Sequence, residues 1–301
     1  MYELIIIGGG PAGITAGIYA QRKKLKTLFL TKDFIGQAGL TSFIENWPGE
    51  KEIRGGELME KFKEHLFSYN PEVKEERVVS LLKKDGLFEV KTEKNSFLSR
   101  AVIVATGRFP KKLNIPGEED FVGKGVAYCT TCDAPLFQGK RVVVVGGGNA
   151  GLESAIELSD YAKEVTVLER FSKISGDEIL QKKAKEKGIS LFCDTEITKI
   201  EGNVLVEKIY FKNLKEEVEE VKEAEGVFIQ VGTIPKTDFL KDLIDLNECG
   251  EIKIDAKTSE TSIRGVFAAG DVTDVRDKQV VVAAGEGVKA LLSAYKYIKN
   301  D

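Results

Sequence analysis

Residues 143–170 read VVVGGGNAGLESAIELSDYAKEVTVLER, and residues 5–32 read IIIGGGPAGITAGIYAQRKKLKTLFLTK. The two stretches align without a gap. Each opens on an apolar run, turns through G-x-G-x-x-G, continues with small and apolar residues, and closes on a second apolar run. That order predicts strand, tight turn, helix and strand, the local unit that cradles a dinucleotide. The glycines are Gly8, Gly10 and Gly13 in the first copy and Gly146, Gly148 and Gly151 in the second. The first of each set allows the turn, the second lets backbone approach a pyrophosphate, and the third lets helix and strand pack closely. Pro11, Ala12 and Asn149 fall where the helices open, and there the free N–H groups of a helix N-terminus face the phosphates. One such match would be weak. Two in register predict two dinucleotide sites.

The sites are not equivalent. Glu169 ends the second strand of the later copy, where a carboxylate accepts hydrogen bonds from ribose hydroxyls and repels a 2′-phosphate. That favours NADH over NADPH, with Arg170 and Lys173 nearby pulling the other way. The matching position of the first copy is Thr31, so its dinucleotide has to be held by other segments. Two are visible: AVIVATG (101–107), a strand ending on Ala105, Thr106 and Gly107, and GVFAAGDVTD (265–274), a strand ending on Gly270 and Asp271. After the second, Val281, Val288, Leu292, Tyr295 and Ile298 recur at helical spacing. An aspartate at a strand end can bind a polyol chain; by itself it would equally cap the helix.

The first cradle begins the chain and the Asp271 strand lies near its end, with the second cradle between. Proline-bearing connectors at 108–120 (RFPKKLNIPGEED) and 231–239 (VGTIPKTDF) separate them. The expected architecture is α/β: two Rossmann-like three-layer domains, residues 1–113 with 244–301 binding one dinucleotide, and residues 114–243 inserted as the other. The acidic stretch 213–226 reads as a solvated hairpin.

With 42% hydrophobic and 31% charged residues, the composition of these 301 residues is that of an ordinary globular protein. A net charge of −4, with no basic face, argues against nucleic acid or anionic membrane as partners. The opening MYELIIIGGG leaves no room for a secretory leader, and no apolar run is long enough to span a bilayer, so a cytoplasmic location is expected. Four cysteines are too few for a disulfide scaffold there. Cys193 and Cys249 stand alone and read as small buried hydrophobes.

Cys129 and Cys132 do not stand alone. They lie in AYCTTCDAP (127–135), ahead of the strand that enters the second cradle. Zinc would require two further ligands, and the one histidine, His65, is far off in a helical segment, so no metal is expected. An inert pair is possible on composition, but C-x-x-C thiols stabilise each other's thiolate and close a small ring on oxidation. The redox reading is the stronger, with Asp133 a candidate proton carrier.

These residues together resemble the low-molecular-weight thioredoxin reductases and the related flavoprotein subunit of alkyl hydroperoxide reductase. The resemblance runs through GGGPAG, Gly36 and Gln37, ENWPG (45–49), the ATG turn, CTTCD, the second GGG motif, GVFAAGDV and KQVVVAAGEG. It implies FAD in the first cradle and NADH or NADPH in the second, with Gln37 and Asn46 beside the flavin and Asp271 on its ribitol. Lys278, Gln279 and Val280 would occupy a contact usually made by Arg-Gln-Ala, and the lysine lacks arginine's planar fork. By the same resemblance Cys132 faces the flavin, Cys129 attacks a thioredoxin- or glutaredoxin-like partner, and the protein is a homodimer whose domains rotate about the connectors. The NADPH-using members carry a His-Arg-Arg stretch where this chain has LERFSK, and the NADH-using flavoproteins have a glutamate there. Those flavoproteins also carry an N-terminal thioredoxin-like module, absent from this sequence, so the electrons are expected to pass to a separate protein or a small disulfide. Two rival readings are a ferredoxin or flavodoxin reductase on the same scaffold, which would not need the thiols, and a nicotinamide-binding redox sensor.

Overall fold

The computed structural model describes residues 1–41, 43–240 and 243–300, with the backbone alone at Phe43. The chain divides into two compact units, Met1–Phe109 with Ile234–Asp301, and Pro110–Thr233. Both crossings fall inside the proline-bearing connectors. They run side by side as a two-stranded ribbon of Arg108–Pro110 and Thr233–Pro235. The return crossing precedes the expected residue 244, because Leu240 and Ile244 are already buried among the first unit's core residues.

In the first unit the parallel strands Glu72–Glu75, Thr27–Thr31, Tyr2–Ile7 and Ser96–Val104 lie in that order. Val266–Ala268 pairs with the C-terminal half of Ser96–Val104, and the antiparallel strand Leu87–Thr92 with its N-terminal half. Strand Tyr2–Ile7 is buried on both faces, which is why its apolar run is continuous. Leu4 and Ile6 pack with residues of the helices Pro11–Arg22 and Val280–Asn300. Ile5 and Ile7 pack on the opposite side with Leu81, Phe88 and Ile252.

The C-terminal helix forms where expected, and its covered face is rich in small residues. Val281 and Leu292 are exposed, while Ala283, Gly287, Ala290 and Ala294 are covered. The reason is a close helix crossing: a Cβ on Gly287 would lie 2.1 Å from the Ala12 carbonyl oxygen. Small residues at the crossing admit that approach; of the spaced apolar residues Ile298 is buried, and Val288 and Tyr295 are half-buried.

In the second unit five parallel strands run in the order Val126–Ala127, Gly226–Ile229, Arg141–Val145, Glu164–Leu168, Ser190–Phe192. Helices Asn149–Leu158 and Glu178–Glu186 contribute Leu152, Ala155 and Ala184 to the core on one face. The antiparallel sheet Thr195–Gly202, Val206–Asn213 and Val218–Glu223 covers the other with Ile197, Ile200 and Ile209. The acidic stretch is its outer hairpin. The fold is mixed α/β and Rossmann-like throughout.

The lone cysteines differ from their reading as buried hydrophobes. Cys249 is exposed in a turn capped by the Asn247 side chain, and Cys193 is half-buried. His65 is exposed on helix Gly55–Phe67. Among the described residues no helix is long and apolar enough to cross a membrane.

Candidate active site

The first cradle is built as its glycines require. Gly8 has φ +120°, and a Cβ on Gly13 would lie 1.9 Å from the Gly8 carbonyl oxygen. A Cβ on Gly10, by contrast, would meet nothing within 4 Å. The turn is therefore packed against the protein at Gly8 and Gly13 and open at Gly10, at a helix N-terminus whose cap residue has no side chain. Gly36 comes within reach of Gly10, its Cβ position being 3.2 Å from the Gly10 Cα. Gln37 follows it in the short helix Gly36–Gly39. Ala105 donates its N–H to the Ile7 carbonyl, and the Thr106 hydroxyl bonds to the Lys236 carbonyl at 3.2 Å, ahead of Gly107. A Cβ on Gly270 would stand 3.0 Å from that of Ala12. These elements meet around one turn, with Ala105 against Gly8, Gly36 against Gly10 and Gly270 against Ala12.

Asn46 and Gln279, distant in sequence, meet through Asn46 Nδ2 donating to Gln279 Oε1 at 3.0 Å. Val280 opens the C-terminal helix directly after them. Lys278 is engaged elsewhere: its ammonium lies 3.0 Å from Glu251, which also pairs with Arg108 at 2.7 Å. Asp271 is partly buried, and desolvation raises its carboxyl above the ordinary range, opposed by the charges of Lys278 and Arg108.

Glu286 was not foreseen. It is 7% exposed, and its Oε2 accepts the Gly270 N–H at 2.9 Å, fixing the turn that presents Asp271. Burial raises its carboxyl, against the pull of the Gly270 N–H and Lys289. An acid raised by folding holds its proton more tightly in the folded chain. Its stabilisation is complete below the unfolded value and is lost as pH climbs through the folded one. Glu286→Gln keeps an oxygen for Gly270 and removes that titration. Its thermal midpoint is expected to fall less than the wild type's as pH rises above the ordinary carboxyl value of 4.5; parallel curves would refute the assignment.

The second cradle repeats the geometry. Gly146 has φ +113°, and a Cβ on Gly151 would lie 1.9 Å from the Gly146 carbonyl oxygen. Gly148 has only the Ser175 hydroxyl near its Cβ position, at 3.7 Å. Asn149 is held by Asp177, donating from Nδ2 at 3.0 Å and accepting the Asp177 N–H at 2.7 Å. Glu169 is 6% exposed. Its oxygens accept the Gly147 N–H at 2.6 Å and the Phe171 N–H at 3.0 Å, so the carboxylate is pinned to the glycine turn itself. Arg170 is turned to Glu196, 3.3 Å away.

Cys129 and Cys132 form a disulfide, with Cα atoms 5.4 Å apart. Cys129 caps the single-turn helix Thr130–Asp133, and its Sγ accepts the Cys132 N–H at 3.2 Å. Asp133 is partly buried, and desolvation raises its carboxyl. Among the described residues no group of three or more His, Cys, Asp or Glu is placed to hold a metal ion.

The family described as pyridine nucleotide-disulphide oxidoreductase matches residues 2–287. The chain belongs to that family. The F component of the alkyl hydroperoxide reductase of Pseudomonas putida is 40% identical over 303 residues, covering 99% of this chain and 58% of that protein. The chain thus spans little more than half the length of the curated relatives it matches. Among solved structures, the thioredoxin reductase of Lactococcus lactis (FR conformation) is similar with a TM-score of 0.94 and 35% identity, over 100% of both chains. That of T. acidophilum gives 0.91 and 37%, over 98% of each. The chain is therefore similar to thioredoxin reductases along its length, and its family implies a flavin and a pyridine nucleotide.

Proposed function

We propose that the chain is a flavin-dependent disulfide reductase that draws electrons from NADH through FAD and delivers them, by way of Cys129 and Cys132, to a thioredoxin- or glutaredoxin-like protein. The disulfide at the head of a helical turn, in a chain with two dinucleotide cradles, carries this reading. FAD suits the first cradle. Gly8, Gly10, Pro11, Ala12 and Gly13 would hold its phosphates, Asp271 its ribitol, and Gln37, Asn46, Gln279 and Val280 its ring side. The nicotinamide coenzyme suits the second, at Gly146, Gly148, Asn149 and Gly151. Bound flavin supplies a two-electron junction between a hydride donor and a disulfide.

What the chain's own groups do follows from thiol chemistry. Once the pair is reduced, the Cys132 N–H stabilises a thiolate on Cys129. That thiolate attacks a disulfide sulfur of the partner, forming a mixed disulfide and expelling one partner thiolate. Cys132 then attacks Cys129, which restores the intramolecular disulfide and frees the partner as a dithiol. Asp133, with its raised carboxyl, exchanges the proton beside the pair.

NADH is favoured because the Glu169 charge is fixed at the cradle while Arg170 is drawn to Glu196. The test is steady-state kinetics with both coenzymes against thioredoxin and glutaredoxin-like disulfide proteins. Wild type is expected to prefer NADH. Glu169→Ala should lower the NADH-to-NADPH ratio of kcat/KM about tenfold, the scale of one modest charge interaction. Damage to the turn alone would lower both values together, and a wild-type preference for NADPH would overturn the assignment.

A further inference from the structure

The redox pair hangs on a short lead. Strand Val126–Ala127 pairs with Gly226–Ile229 through only its two residues before the chain leaves the sheet at Tyr128. Tyr128 adjoins Cys129 and is held at both ends. Its carbonyl accepts a hydrogen bond from Gln230 Nε2 at 3.2 Å, and its hydroxyl donates to Glu118 Oε1 at 2.6 Å. Glu118 is fully buried, and also accepts the N–H groups of Leu113 at 3.0 Å and Asn114 at 2.6 Å. Its donors are two backbone amides and a phenol, none of them a cation. Burying a carboxylate for packing alone is unfavourable, since an apolar side chain would need no such partners. Gln230 is anchored in turn, its N–H donating to the Val145 carbonyl at 2.8 Å on the strand that enters the second cradle.

We infer that Glu118 and Gln230 are positioning residues for the redox pair. By fixing Tyr128 at its hydroxyl and its carbonyl, they hold the Cys129 backbone where its sulfur meets that of Cys132. Burial and the Glu118 hydrogen bond raise the Tyr128 phenol above its ordinary range, so it remains a donor at neutral pH. Two thiols held close have a high effective concentration for ring closure, and the restraint therefore favours the disulfide over the dithiol. The inference rests on the redox reading of the pair, but its test requires neither dinucleotide nor acceptor protein.

The experiment equilibrates the full-length purified protein with glutathione. Two glutathione thiols reduce the Cys129–Cys132 bond, giving the protein dithiol and one glutathione disulfide. After an acid quench, alkylated thiols are counted on the peptide carrying both cysteines. Tyr128→Phe and Gln230→Leu are each expected to shift the equilibrium toward the dithiol about tenfold, or ~30 mV. Tyr128→Phe keeps the ring and removes one hydroxyl, so it decides the matter should Gln230→Leu not fold. Constants within about twofold of wild type, even with a lowered thermal midpoint, would assign these residues a purely structural role and overturn the inference. A wild-type pair that never closes would instead overturn the redox reading itself.

Discussion

The Cys132→Ser protein is expected to lose protein-disulfide reduction by roughly 10³-fold or more, the scale on which removing a covalent participant acts. It should still pass electrons from NADH to a small one-electron acceptor. A serine oxygen cannot join Cys129 in a disulfide, so the last exchange step has no resolving group. Cys129 would remain able to attack, and a covalent adduct with the partner should therefore accumulate, visible on a non-reducing gel. Cys129→Ser should lose the activity without forming the adduct. The asymmetry follows from the local structure, in which Cys129 caps the helical turn and receives the Cys132 N–H. Unimpaired protein-disulfide reduction by Cys132→Ser would refute the relay. So would loss of the one-electron activity alone.

Gly13→Ala should yield a protein that binds flavin at least about 10²-fold more weakly, whereas Gly151→Ala should stay yellow and resist bleaching by NADH. Both added methyl groups would fall 1.9 Å from a carbonyl oxygen, of Gly8 and of Gly146 respectively. Each helix would have to move off its strand by about an ångström, and forced repacking of that kind costs about 1–3 kcal/mol. The damage lands on the helix N-terminus that would receive the phosphates, so binding should suffer more than folding. Visible absorption reports the first variant and anaerobic titration with NADH the second. If both variants lost the same ligand, the assignment of two cradles to two coenzymes would fail.

The cradles were legible in the sequence because each is a local device. Strand, turn and helix are contiguous, and the three glycines must sit at fixed spacing for any ligand to enter. The C-x-x-C pair was legible for the same reason. Contacts made by tertiary packing were not. Nothing near Asn46 in the chain announces Gln279, and neither AAGEG nor PGEED signals that Glu286 and Glu118 are buried acids. Composition places acids outside by default, so only the structure reveals these two, each accepting backbone N–H groups. The C-terminal helix teaches a related lesson. Its period was readable, but which face is covered depends on how near its neighbour comes, and Gly287 sets that distance. Glu169 lies between the two cases. Its position at the strand end was readable, and its grip on the Gly147 amide was not.

The paired strands at the crossings carry a consequence for ancestry. Lys111 donates its N–H to the Gly232 carbonyl at 2.9 Å, so the two ends of the inserted unit are neighbours. A segment with adjoining ends can be excised as a cassette and sealed by a reverse turn, leaving residues 1–109 and 234–301 as a contiguous scaffold. The same seam would let a different nucleotide-binding cassette be spliced in without threading the chain anew. Adjoining ends of this kind are compatible with exchange of the inserted unit at the gene level.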